Sequence, residues 1–252
     1  MIHIKNKKEI ESMRKGGKIL AKALYTSLDA ATEGVSEKRL DDIAEKVMIE
    51  NGGEPGFKKV PGYHHAICTA TNDVIVHGIP GDYRLKKGDV ICIDAGVYLD
   101  NLHTDMAETI VVGGMKEAPK GVEKFLNTGK KALAAGIAEA REGNRVGHIS
   151  RAIQKIVEGE GYSVVRSLIG HGVGRELHEE PEVPGYLHGP LEKTPLLKKG
   201  MTIAIEVIYA MGGPDVMYAN DDGWTIKTQD GSISAVFERT ILITSSDPEV
   251  LT

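Results

Sequence analysis

Leu85–Asp94 reads LKKGDVICID, and Leu197–Glu206 reads LKKGMTIAIE. A Lys-Lys-Gly turn, an apolar run and a terminal carboxylate recur in the same order, and self-similarity of this kind marks a duplicated architectural unit. The likeness extends upstream of both copies. Met13, Leu20 and Leu24 follow helical spacing, and Glu33-Gly34 interrupts it. Leu40, Ile43, Ala44, Val47 and Met48 then resume it behind Ser36, whose hydroxyl can accept from the free amides of a helix start, and Gly52-Gly53 ends the run. Before the second copy, Phe125, Leu126, Leu133 and Ile137 form one helical face and Glu142-Gly143 breaks it. Val146, Ile149, Ile153, Ile156 and Val157 form the next face, up to Gly159 and Gly161. Each half therefore reads as two helices followed by strands.

The β-branched runs Val90–Ile93, Thr109–Val112, Thr202–Ile205 and Thr240–Thr244 predict short strands. Asp230-Gly231 predicts a hairpin turn between Trp224–Thr228 and Ser234–Phe237. Helices and then strands imply an α+β class with the helices packed outside an antiparallel sheet. No linker rich in Pro, Ser or Gly divides the chain, so one domain over 1–252 is expected, made of two pseudo-symmetric halves at approximately 1–115 and 116–252.

The 252 residues suffice to bury roughly 70–75% of the unfolded surface. A hydrophobic fraction of 41% with 27% charged residues excludes disordered and fibrous classes. The net charge of −5 is dispersed, with no basic stripe to follow phosphates, so nucleic acid is not expected as a direct partner. Neither a signal peptide nor a run of ~20 apolar residues is present, which predicts a cytoplasmic protein that does not enter a membrane. Cys68 and Cys92 are the only cysteines and form no CxxC pair, so any metal is expected to be held by oxygen and imidazole.

Asp94 and Glu206 occupy duplicated positions at the ends of apolar strands, where an ionised group is costly unless paired or coordinated. Each is followed by a second carboxylate, Asp105 in HTDMAETIVV and Glu238 in VFERTILIT. Four converging carboxylates repel one another, and two divalent cations would offset them. The imidazole to join them is His171, in GHGVGRELHEEP, where glycines permit close backbone approach. His178 follows seven residues on, and His77 sits in IVHGIP. Oxygen with imidazole suits Mn, Fe, Co or Zn without distinguishing among them.

These residues carry a resemblance. NDVIVHGIP, CIDAG with HTD downstream, GHGVGRELHEEP, TIAIE and DGWTIKTQDGSISAVFERT, in this order over nearly the whole chain, resemble the type I methionine aminopeptidases. The resemblance implies the pita-bread fold, two related halves with helices outside a curved antiparallel sheet. It also implies two divalent ions held by Asp94, Asp105, His171, Glu206 and Glu238. By the same resemblance Glu206 is the proton shuttle, His178 a donor to the developing oxyanion, and His77 a contact near the scissile amide. Tyr63, Cys68 and Trp224 fall at places that line the pocket for the first residue.

The implied activity is removal of N-terminal methionine from nascent proteins and peptides with a small second residue. Peptide N-termini are the expected partners, the ribosome a further one, and a monomer the expected state. Three residues depart from the commoner pattern: Val207 stands where Pro is usual, Leu177 where an aromatic is frequent, and Val60 where a pocket Tyr often occurs. They predict an altered pocket and weaker turnover of methionyl peptides. The spacing between His178 and Glu206 leaves no room for the additional helical subdomain of type II enzymes. Two other readings remain open, a proline-specific peptidase of the same fold and a binding protein that has lost catalysis.

Overall fold

Asn6 begins the first helix by accepting from the amides of Lys8 and Glu9, while the Glu9 carboxylate accepts from the Asn6 amide. This reciprocal cap satisfies donors that a helix start otherwise leaves unpaired. The computed structural model describes residues 2–252. Helix α1 spans Lys7–Ala30, and α2 spans Glu37–Glu50 with Ser36 accepting from the Arg39 amide at 3.2 Å. Helices α3 (Val122–Glu139) and α4 (Val146–Gly159) repeat the pair. Gly34 and Gly143 stand between the helices of each pair at φ +85° and +89°, the left-handed region that glycine enters without penalty. All four helices lie where the sequence periodicity places them.

The first five strands are β1 (Glu54–Pro55), β2 (Ile67–Thr71), β3 (Val74–Val76), β4 (Val90–Leu99) and β5 (Leu102–Val111). After α4 come β6 (Ser163–Val164), β7 (Gly170–Gly172), β8 (Glu179–Val183) and β9 (Thr202–Ala210). The chain ends through β10 (Val216–Tyr218), β11 (Ile226–Thr228), β12 (Ser234–Leu242) and β13 (Glu249–Val250). The main sheet runs β1-β4-β5-β12-β9-β7-β8, with β2, β6 and β13 paired on β4, β9 and β12, and all its pairs are antiparallel. The strands β10, β11 and β3 form a separate sheet.

Two sequence expectations change. The strands carrying Asp94, Asp105, Glu206 and Glu238 are nine or ten residues long, so the carboxylates lie within the strands and not at their ends. The alternating pleat hides this in a hydropathy scan, because the residues beyond each carboxylate on the site face are small or apolar. Asp230-Gly231 is a turn, with Gly231 at φ +72°, yet it joins no hairpin. Strand β11 pairs with β10 and β3, whereas β12 pairs with β5, β9 and β13, so the turn carries the chain from one sheet to the other.

Alternation along the strands divides two environments. Ile91, Ile93, Ala95 and Val97 face α1 and α2, in a core with Leu20, Leu24, Leu40 and Met48. Ile203, Ile205, Val207, Tyr209 and Phe237 face α3 and α4, in a core with Phe125, Ile149 and Ile153. The opposite face holds the site.

Strands β5 and β12 meet at the centre of the sheet, where the ladder pairs only Ala107 with Glu238 and Met106 with Arg239. To either side, a threonine hydroxyl replaces direct pairing. Thr240 Oγ1 accepts from the Asp105 amide at 2.9 Å and donates to the Asp105 carbonyl at 2.8 Å. Thr109 Oγ1 likewise accepts from the Val236 amide at 3.1 Å and donates to the Val236 carbonyl at 2.7 Å. Thr240→Val leaves a buried amide and a buried carbonyl without partners, and we expect it to lose about 3 kcal/mol of stability. Thr240→Ser keeps the hydroxyl and should lose only about 1 kcal/mol, for the methyl removed. Urea unfolding midpoints of the two variants check the difference.

Candidate metal centre and adjoining cavity

Register brings the acidic residues together. Cys68 opposes Asp94, Asp94 opposes Ala107, Ala107 opposes Glu238, and Glu238 opposes Glu206, in one row across five strands. Directly opposed residues project from the same face, so this row aligns three carboxylates and a thiol. Asp105 lies two residues before Ala107 and His171 opposes Ala204, two residues before Glu206, which places both on that face. Ala107, the smallest member of the row, leaves its space to these larger side chains. Gly170 and Gly172 allow β7 to approach: a Cβ on Gly170 would strike the Ala204 carbonyl, and one on Gly172 the Glu180 carbonyl.

Single ligand atoms of Asp105, His171 and Glu238 all lie within 4.8 Å of one another. His171 Nε2 is 3.4 Å from Glu206 Oε1 and 3.7 Å from Asp105 Oδ2. Its Nδ1 lies 2.8 Å from the Gly172 carbonyl, an acceptor that requires the proton on Nδ1 and so turns the Nε2 lone pair toward the carboxylates. Asp94 completes the group at the β4 side, and all five residues border one cavity.

The electrostatics of this cluster are unfavourable as they stand. Burial pushes the Asp94 carboxyl up to about 7 against one stabilising amide, that of Ala95. Burial is also the largest influence on Asp105, Glu206 and Glu238, and neighbouring carboxylates push each of them further above the ordinary range. His171 is driven the other way, down to about 3, by burial and then by His178. Asp94 Oδ1 and Glu238 Oε1 are buried without a hydrogen-bond partner. Unpaired acceptors on two of the four carboxylates, facing an imidazole lone pair, are acceptors in search of a cation. The donor set fits divalent first-row ions: four carboxylates and one imidazole, without thiolate.

Beside the five residues the cavity, of about 190 Å³, is walled by Phe57, Val60, Tyr63, Cys68, Leu177 and Trp224. Tyr63 donates to the Ile67 carbonyl at 2.8 Å, and its ring meets Trp224 edge to face at 5.1 Å. Trp224 and Thr225 are held in turn by Asp222, which accepts from both amides. His77 and His178 reach the same cavity. The His178 ring is 4.3 Å from that of His171, and partial burial draws its pKa below the ordinary value. His77 is also lowered, by burial and by His178, and its backbone is left-handed at φ +58°. A conformation that costs a non-glycine residue roughly 1–3 kcal/mol persists only where the surroundings impose it.

Every residue singled out from the sequence therefore meets the others at one cavity. The departures do not all belong there. Val60 and Leu177 line it, but Val207 points to the helix-side core. Its neighbour Glu206 is the residue that faces the site, and period-two alternation sends Val207 the other way. Sequence reading missed Phe57, Val76, Leu168, Ile169 and Ile208, which also line the cavity. Phe57 alone carried a signal, as one of three phenylalanines, six residues before Tyr63.

Five oxygen and imidazole groups on one sheet face, beside a pocket lined largely by apolar side chains, define a metallohydrolase site. The comparisons with known proteins name the class further. The metallopeptidase family M24 model matches residues 11–245, and the chain belongs to that family. The methionine aminopeptidase of Clostridium perfringens is 42% identical over 252 residues, covering 100% of this chain and 99% of that protein. The crystal structure of methionine aminopeptidase from Thermotoga maritima superposes with a TM-score of 0.95 at 37% identity, covering 100% of this chain and 99% of that one. Prolidase from Pyrococcus furiosus shares the fold at a TM-score of 0.79 and 26% identity, and 65% of its length is covered.

Linkage gives the cluster a pH signature. Above about pH 7.5 the lowered histidines are neutral both folded and unfolded and contribute almost no slope. The four carboxylates are charged in the unfolded chain, but their folded pKa values are raised, so the folded state binds more protons and stability falls as pH rises through those values. With chelator present, the Tm should fall as the pH rises above about 7.5. With Mn or Co added it should hold level, because cations supply the missing partners; scanning calorimetry under both conditions reads the contrast.

Proposed function

We propose that this protein is a methionine aminopeptidase, which hydrolyses the peptide bond after an N-terminal methionine. The observation that carries the reading is the junction of the five-residue cluster with a pocket of aromatic and sulfur-bearing side chains. Tyr63, Trp224, Phe57 and Cys68 form a wall suited to a flexible thioether, since sulfur packs favourably against ring edges. Full-length correspondence with methionine aminopeptidases, against partial coverage of prolidase, supports methionine over proline specificity. Among the described residues no helix is long and apolar enough to cross a membrane.

Asp94, Asp105, His171, Glu206 and Glu238 would hold two divalent ions of the Co, Mn, Fe or Zn group. Such ions, when bound, supply Lewis acidity that activates water and polarises the scissile carbonyl. Glu206 borders the cavity where the attacking water would stand, so its carboxylate can take that water's proton and return it to the departing amine. His178, open to the cavity, donates to the oxygen that becomes negative in the tetrahedral intermediate, a contribution of about 2.7–4 kcal/mol for a donor of this type. His77, neutral at pH 7 and fixed by its backbone, orients the peptide beside the bond to be cut. The pocket takes the methionine side chain and excludes water around it.

The proposal extends to one catalytic domain of two related halves, acting as a cytoplasmic monomer on peptide or nascent-chain N-termini, with the ribosome as a docking partner. The test is a panel of Met-Ala-Ser, Met-Lys-Ser and Ala-Pro-Ala with Mn- or Co-loaded protein. Release of methionine from Met-Ala-Ser is expected; cleavage of Ala-Pro-Ala alone would assign the proline-specific reading, and no cleavage of any peptide would assign the binding reading. His178→Ala should lower kcat about 10²–10³-fold. Bound metal, measured by elemental analysis, should stay unchanged, and its equal loss would make His178 a ligand.

A further inference from the structure

The Lys5 side chain is 1% exposed, although lysine is among the residues least often buried. Its Nζ donates to Glu179 Oε2 at 2.7 Å, across 174 residues of sequence. Glu179 follows His178 directly. The other oxygen of the same carboxylate, Oε1, accepts from the Glu176 amide at 3.1 Å, so Glu179 gathers the 176–179 turn with one oxygen and grips Lys5 with the other. A Cβ on Gly174 would collide with Lys5 Cε and Nζ, which shows how closely the ammonium is seated in this loop.

The base of the arrangement is fixed as well. The Lys5 amide donates to the Gly200 carbonyl at 2.8 Å, just before β9 and its Glu206. The Gly174 carbonyl accepts from the His103 amide at 2.6 Å, two residues before Asp105. The Glu9 carboxylate accepts from Arg175 at 3.0 Å. Lys5 and Glu9 thus cross over the loop that presents His178, and of the two ion pairs among these contacts Lys5–Glu179 is the more buried. Burial draws the Lys5 pKa below its ordinary value in spite of Glu179, whereas Lys5 and the amides of Glu176 and Arg175 hold Glu179 below its own, so the cost of burial falls on the ammonium. Buried pairs of this kind are weak sources of stability and are best explained by a geometry they specify.

We propose that Lys5 is a positioning residue for His178: the Lys5–Glu179 pair locks the 174–179 loop so that the His178 imidazole stands against His171 at the cavity mouth. This rests on the assignment of His178 to the oxyanion in the proposed aminopeptidase reaction. A residue that acts only through His178 loses its effect when His178 is absent, whereas a general structural residue does not.

The test is a double-mutant cycle on the full-length, metal-loaded protein with Met-Ala-Ser. Lys5→Met should lower kcat about tenfold, with KM within about twofold and bound metal unchanged, and the same substitution in a His178→Ala background should change kcat less than about twofold. Equal losses in both backgrounds, or no loss in the first, would overturn the proposal. Glu179→Gln keeps an acceptor for the Glu176 amide and enters the same cycle if Lys5→Met does not fold. A second arm does not depend on turnover. In the zinc-loaded protein, NMR of the ring nitrogens should show the His178 signals shifted and broadened by Lys5→Met, with those of exposed His64 unchanged. Failure of the wild-type protein to release methionine would remove the aminopeptidase reading and leave this arm to decide the positioning; unaltered His178 signals would end it.

Discussion

Four carboxylates on one face of a sheet, in a place largely closed to water, are the constraint on which the rest of the molecule depends. Like charges at such spacing cannot all be ionised without counter-charge, and their raised pKa values express that conflict. The fold sustains it with two well-packed cores behind the sheet, each backed by a helix pair. Strength on the helix side allows the opposite face to be organised for cation binding and not for its own stability. The same division explains why the apolar wall of the cavity is a separate small cluster instead of an extension of either core.

Much of this was legible in the sequence, for identifiable reasons. The helices were readable because their caps and breaks are local: Ser36, Gly34 and Gly143 act within a few residues of the elements they bound. The ligand candidates were readable because an acidic residue inside an apolar run is rare, and here it occurs in duplicate. What was not legible depends on pairing between distant strands. The true length of β4 and β9, the departure of β11 to a second sheet and the inward turn of Val207 all follow from register, which no short window contains. The Lys5–Glu179 pair belongs to the same class, since nothing near Met1–Lys8 announces a buried ammonium.

Sequence and structure also divide the work of recognition. The motifs located the cluster and only part of its walls: Tyr63, Cys68 and Trp224 were found, but Phe57, Leu168 and Ile208 reach the cavity from three separate segments as ordinary apolar residues. Apolar lining is chosen by shape, and many residues satisfy it, whereas a metal donor must be a particular chemical type at a particular row of the sheet. That is why reading by residue type found the clustered carboxylates and imidazole more completely than the lining of the pocket.

The two threonine bridges bear on the molecule's motions. Ten residue pairs join β4 to β5 and nine join β9 to β12, but the seam between β5 and β12 carries two, supplemented by the hydroxyls of Thr109 and Thr240. A sheet parts where its ladder is thinnest, and cooperative units in native-state opening follow such boundaries. The amides of Asp105 and Val236, which rest on hydroxyls, are therefore the natural reporters of opening at this seam, and their hydrogen exchange would register breathing along the line that bears the acidic cluster. The middle of this sheet is thus joined as sparsely as its short outer strands, with hydroxyls in place of the missing rungs.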